Sequence, residues 1–304
     1  MAVRRWLLLL AAGVVVQIAL GGVTRLTDSG LSITEWKPLL GVVPPRNDAE
    51  WAEAFAKYQQ LPQYRQLKSH LTAHDFRWIY FWEWLHRLWG RLLGIAFVGP
   101  ALFFWRRGAL SGRALAGLLT LGLAQGALGW FMVMSGLQDR LYVSHWRLAA
   151  HFLLALGLLA ALLTLALGPP RAPRPLIALV VLQLALGALT AGLKAAPYAP
   201  TWPTLNGAWL PPEWSLDAPL PVQFFHRTLG LVVLAAVTAW WWRRRAHGAL
   251  LLTWAQVALG VAVLLNAPYA ERLVVLGVAH QVLGTLLFVA LLWSSGTRAA
   301  PRDG

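Results

Sequence analysis

Eight segments of this chain, residues 6–24, 79–104, 114–134, 146–167, 176–193, 222–242, 250–266 and 274–293, are apolar over most of their length. A run of about 20 such residues is what a helix needs to cross a bilayer core. In lipid, a lone segment of that kind satisfies its backbone only as a helix. Arg4 and Arg5 ahead of the first run resemble the start of a secretory signal. Seven further spans favour a resident membrane helix instead. The sequence therefore predicts an all-α integral membrane protein with eight transmembrane helices. Composition agrees, with 58% hydrophobic and 12% charged residues.

The net charge of +14 would suggest a nucleic-acid partner if it were clustered on one surface. It is instead parcelled between spans. Arg4/Arg5, Arg106/Arg107/Arg113, Arg171/Arg174, Arg243/Arg244/Arg245 and Arg298/Arg302 all fall on one side of an eight-span chain, with Asp303 the only acid there. Asp28, Glu35, Asp48, Glu50, Glu53, Asp75, Asp139, Glu213, Asp217 and Glu271 fall on the other. The positive-inside rule then puts both termini in the cytoplasm. The bilayer is the expected partner of the arginine runs, and no nucleic acid is expected. No Arg/Ser-rich transit segment is visible, which favours a multi-pass protein of a prokaryotic cell (inner) membrane.

Two loops on the outer side are long. In residues 27–77, Asn47 and Glu50 have capping-box spacing, and Trp51, Phe55 and Tyr58 recur at i, i+4, i+7. This predicts an amphipathic helix lying at the outer interface. Residues 194–221, with Pro197, Pro200, Pro203, Pro211, Pro212 and Pro219, read as irregular chain over the outer mouth.

Gln-x-Ala-Leu-Gly occurs at 17–21, 125–129, 183–187 and 256–260, each time in an odd-numbered span. Each even-numbered span carries one histidine near its start: His86, His151, His226 and His280. Gly90, Gly230 and Gly284 follow three of them by four residues, and Ala155 follows the fourth. The unit is a helical hairpin repeated four times, and spans 1–4 match spans 5–8. This predicts two pseudo-symmetric four-helix bundles, 1–168 (with the long loop 27–77) and 169–304. The Gln and Gly positions read most simply as helix packing.

Even-numbered spans run inward, so all four histidines sit toward the outer face, two per bundle. Two imidazoles from different helices can grip the iron of a flat macrocycle from both sides, and bundle interiors are usual cofactor sites. Hydrogen bonding between helices is the plainer alternative. Zinc is disfavoured, since the chain has no Cys and the histidines are spread in pairs. His70, His74, His145 and His247 lack the pattern and read as solvated or interfacial, with His145 in the loop before span 4.

Glu83 breaks the symmetry. It lies three residues before His86, where the second half has Gln223 before His226. An intramembrane acid is usually functional. It can move protons or stabilise positive charge at a heme edge, or it can simply pair with Arg87 or Arg91. The halves thus read as two similar pockets with one chemical difference, the first reactive and the second a standing redox cofactor site.

Several strings resemble the heme A synthase family over nearly the whole chain. They are residues 21–38 (Gly-Gly-Val-Thr-Arg-Leu-Thr-Asp-Ser-Gly-Leu-Ser-Ile-Thr-Glu-Trp-Lys-Pro), 80–87 with Gly90-Arg91, 125–130 with Ser135-Gly136-Leu137, Arg147-Leu148 with His151, Phe225-His226-Arg227, and His280-Gln281. The resemblance implies oxidation of the C8 methyl group of heme O to a formyl group by two successive hydroxylations and loss of water. It implies heme b, and so iron, on His226 and His280. It also implies substrate heme O between His86 and His151, and Glu83 as the essential acid. The farnesyl tail would extend toward lipid or an interhelical groove. Heme O synthase and cytochrome oxidase assembly factors would be possible partners. Many bacterial members carry a cysteine pair in the first outer loop; none is present here, which leaves the electron donor open.

Two other functions need the same histidines: a di-heme b-type electron carrier, and a heme transporter or chaperone. Glu83 opposite Gln223 favours the enzyme. Arg25, Arg91 and Arg147 are candidates either for heme propionates or for snorkelling to headgroups. The tryptophans at span ends read as an interfacial belt.

Overall fold

The computed structural model describes residues 1–36, 40–138, 140–244 and 247–293. Lys37 and Pro38 of the family string, and the topology residues Asp139, Arg245, Arg298, Arg302 and Asp303, lie outside the described residues. So does the Arg244 side chain.

Among the described residues, eight helices are long and apolar enough to span a membrane. They are α1 (Ala2–Leu26), α3 (Ala73–Arg106), α4 (Gly112–Met134), α5 (His145–Leu167), α6 (Arg174–Gly192), α7 (Pro219–Arg244), α8 (His247–Leu265) and α9 (Ala270–Trp293). A shorter α2 (Asp48–Gln59) lies in the first long loop. Among the described residues there is no strand, only one isolated bridge between Leu205 and Ala208. The chain divides into two compact units, Met1–Ala166 and Leu167–Gly304.

In the first unit, α1 and α3 pack side by side in antiparallel register. Trp6 Nε1 donates to Ala96 O, Trp89 Nε1 to Gly13 O, Gln17 Nε2 to His86 O, and Thr24 Oγ1 to Trp82 O. Glycine permits this approach: a Cβ at Gly13 would collide with Leu93. At about 1.5 Å per residue, α3 is roughly 50 Å long, some 20 Å more than the bilayer core requires. The surplus is at its start, where Thr72 and Asp75 form a capping box.

That projecting turn is what α2 packs on. Asn47 caps α2 by accepting from Glu50 N. The Trp51, Phe55, Tyr58 stripe meets Phe76 and Tyr80: ring centroids are 5.1 Å apart for Trp51–Tyr80, 5.0 Å for Phe55–Phe76 and 5.4 Å for Tyr58–Phe76. The apolar face that the sequence suggested for the membrane interface is instead turned onto α3, with Tyr58 fully buried. Burial, followed by the Asp28 and Glu83 charges, pushes the Tyr58 phenol above its ordinary value. On the exposed face, hydrogen bonds to Glu53 and Glu35 hold the Lys57 ammonium up.

In the second unit, α6 packs on α7 and α8 on α9. The α6–α7 loop is irregular apart from a short 3-10 turn, Ala196–Tyr198. Arg171 N donates to Leu292 O and Trp293 Nε1 to Gly168 O, which ties the start of the unit to the end of α9.

Candidate functional site: four histidine locks

The four hairpins carry one repeated contact. Gln17, Gln125, Gln183 and Gln256 each donate Nε2 to the backbone carbonyl of a histidine on the next spanning helix: His86 (3.0 Å), His151 (3.2 Å), His226 (3.0 Å) and His280 (3.0 Å). In three hairpins the same amide nitrogen also lies beside the imidazole: 3.3 Å from His151 Nε2, 3.1 Å from His226 Nδ1 and 3.3 Å from His280 Nε2. One turn along, the repeat glycine leaves room for the ring. A Cβ at Gly129, Gly187 or Gly260 would come within 2.9, 3.0 or 3.0 Å of the Cε1 of its histidine, and one at Gly21 within 3.2 Å of His86 Nε2. The glycine after the histidine does the reciprocal job. Gly90, Gly230 and Gly284 face their glutamines at 3.5, 3.2 and 3.0 Å.

The sequence pattern read as helix packing is therefore packing with a specific product. The amide grips the histidine helix by a carbonyl that its own helix already uses, and the small residue fixes where the ring lies. Hydrogen bonds and packing of this kind orient histidines that serve as ligands.

In the second unit the rings of His226 and His280 are brought together, with centroids 6.3 Å apart and planes at 89°. In the first, the His86 ring lies at Gly21 of α1 and the His151 ring at Gly129 of α4. Nδ1 of His151 and Nδ1 of His280 are buried with no hydrogen-bond partner. His145 is not in a loop as expected; it opens α5, with its ring 5.4 Å from that of Trp146 and tilted by 42°. His247 opens α8 and accepts from Trp241 Nε1.

Glu83 is 2% exposed. Its Oε1 accepts from Arg87 Nη2 at 2.6 Å; its Oε2 accepts from Ser32 Oγ at 2.7 Å and Ile33 N at 2.8 Å. Arg87, not Arg91, is the ion-pair partner, in the favourable order with the acid four residues ahead. Arg87 also donates to Ile33 O and Glu35 O. Acid and arginine together fasten residues 32–35 to α3. In the second unit Gln223 donates to Ala195 O and Ala196 O. Arg227 donates to Ala199 O, Thr201 O and Thr204 O. No periodicity in either loop announces these bonds, so the sequence reading missed the strapping role of both arginines. The one available signal was the shared His-Arg pair.

The arginines considered for propionates make protein contacts. Arg25 pairs with Asp28 at 3.3 Å and lies over Tyr142. Arg147 donates to Phe131 O and stacks on that ring at 3.6 Å.

The family model for cytochrome oxidase assembly protein matches residues 4–292. Heme A synthase of Rhodospirillum centenum is 41% identical over 96% of this chain and 87% of its own length. That of Rhodopseudomonas palustris (strain HaA2) is 42% identical over 99% and 91%, and that of Maricaulis maris 40% over 97% and 96%. Matches of this extent take in all four locks and both loops, and the chain belongs to the heme A synthase family of cytochrome oxidase assembly proteins.

Proposed function

We propose that the chain is a heme A synthase, oxidising the C8 methyl group of heme O to a formyl group by successive hydroxylations. The observation that carries this reading is the pairing of like histidine locks with unlike neighbours: Glu83 tethered beside His86, and Gln223 beside His226. The family membership and the relatives' common name supply the reaction.

The residues suit a heme iron. His226 and His280 face each other at a spacing that admits one metal ion, since metal–imidazole bonds are about 2 Å long. His280 also has a buried nitrogen with no protein partner. We assign these two to heme b in residues 169–304. His86 and His151, with its own unpartnered Nδ1, we assign to heme O in residues 1–168. A heme b held by His226 and His280 would supply one-electron redox chemistry.

The chain's own groups do the rest. The four glutamines and glycines hold the rings in place. Glu83 takes up or stabilises charge at the substrate edge, and Ser32, Ile33 and Arg87 fix its orientation. Arg87 and Arg227 hold loop backbone over the histidine ends of α3 and α7, which limits water. The setting is a bacterial cell (inner) membrane with the heme sites toward the outer face. Heme O synthase and oxidase assembly factors are the natural neighbours in the reaction order.

The test is heme extraction and reverse-phase separation from purified wild type and Glu83→Gln. Wild type is expected to yield heme B with heme O and heme A. The variant should keep heme B and heme O, or its hydroxylated form, and lose heme A. Two heme B per chain, untouched by the substitution, would mean a di-heme electron carrier. Heme O bound but never converted under turnover would mean a transporter.

A further inference from the structure

Trp82 Nε1 is a buried indole N–H with no hydrogen-bond partner. Five other tryptophans put the same group to use. Trp6, Trp84, Trp89, Trp241 and Trp293 donate to Ala96 O, Val42 O, Gly13 O, His247 Nδ1 and Gly168 O. A buried donor without an acceptor is costly, and bilayer hydrocarbon offers none.

The position of Trp82 relates it to the histidine site of the first unit. It lies four residues before His86, one turn toward the start of α3. With 100° per residue, Trp82 stands about 40° to one side of His86 and Glu83 about 60° to the other. The acid and the indole flank the histidine. The backbone at Trp82 is tied to α1 through Thr24, and its ring is wedged by Trp78 and Phe81, both with centroids 5.4 Å away. In the second unit the corresponding residue, four before His226, is Val222, which is fully buried and has no side-chain donor. Unpartnered glutamine oxygens occur in both units, so they do not distinguish the halves. The idle indole does.

We infer that Trp82 is a substrate-binding residue whose N–H donates to an oxygen of the tetrapyrrole held at His86. This rests on the reading of the first unit as the heme O site. Heme O offers two kinds of acceptor, the propionate carboxylates that all these hemes share and the hydroxyl on its long isoprenoid side chain. Heme B has only the propionates. If the hydroxyl is the acceptor, Trp82 selects heme O over heme B.

Titrating full-length protein in detergent with heme O, and separately with heme B, tests this. Two variants remove the donor: Trp82→Phe, and 3-benzothienylalanine at position 82, which keeps the bicyclic ring and replaces N–H by sulfur. Losing one neutral hydrogen bond should weaken heme O binding roughly 3- to 10-fold. Under turnover KM should rise by a similar factor with kcat nearly unchanged. Weakening confined to heme O identifies the hydroxyl, and equal weakening of both hemes identifies a propionate; either supports the inference. Unchanged binding of both hemes in the benzothienyl variant overturns it. Wild type that binds no heme O overturns the assignment of the site itself, whatever Trp82 does.

Discussion

Three residues before the first histidine of each unit, α3 carries a carboxylate and α7 an amide of nearly the same size. Both are 2% exposed, and both reach across to a loop backbone. Glu83 accepts from Ser32 and Ile33, whereas Gln223 donates to two carbonyls. The following arginine straps loop carbonyls in both. The difference between the units is therefore the hydrogen-bond polarity of the loop, inverted along with the residue that meets it. A single exchange of Glu for Gln does not turn one unit into the other, because the loop must change with it.

The largest effect that could break the comparison is on the histidines. Removing His226 or His280 should abolish activity and cut heme B per purified chain at least tenfold. Removing His86 or His151 should abolish activity and leave heme B in place. Pyridine hemochrome assays of the four alanine variants check this, and equal heme loss from both units would erase the division of labour.

Next comes the reciprocal swap. Glu83→Gln should lower turnover by about 10²–10⁴, the range for a lost acid–base group, with heme B retained. Gln223→Glu sets a carboxylate against the carbonyls of Ala195 and Ala196. It should confer no second activity and should cost about 3 kcal/mol of stability, seen as a lower Tm.

Smaller effects sharpen the comparison. Gln183→Leu or Gln256→Leu removes a lock and should cost about 1 kcal/mol, with a shifted heme b midpoint potential in a redox titration. Gln17→Leu should leave that potential where it was.

The smallest is confined to the loop of the first unit. Tyr58 has its phenol pKa raised in the fold, so the neutral ring contributes stability that is complete below its ordinary value of 10.0 and fades as pH climbs above it. Ultraviolet titration should find one tyrosine ionising late, and Tyr58→Phe should remove that alkaline loss.

The spans were legible because length and apolarity are local properties of a segment. The start of α3 was not: residues 73–78 include His74, Asp75 and Arg77, which no hydropathy reading assigns to a spanning helix, and a capping box at Thr72 begins it. The histidines stood out through their period. Their partners were only half visible, since Gln-x-Ala-Leu-Gly names a small-residue face but not the carbonyl it grips. The stripe of α2 was read correctly as amphipathic and given the wrong apolar neighbour, because a sequence does not say whether lipid or a projecting helix turn will cover it. Ser32 and Ile33 lie some fifty residues from Glu83 and belong to no periodic element, so nothing local linked them.

Every lock joins spanning helices that follow one another along the chain. Each histidine is therefore set by a helix synthesised just before it, and never waits on a later one for its orientation. Its opposite number arrives only with the following hairpin. During biogenesis the first histidine of each unit stands ready while the second is still on the ribosome. On the proposed ligand assignment, iron coordination closes each unit only after its second hairpin is made, and a low-spin heme spectrum in nascent or truncated chains dates that closure.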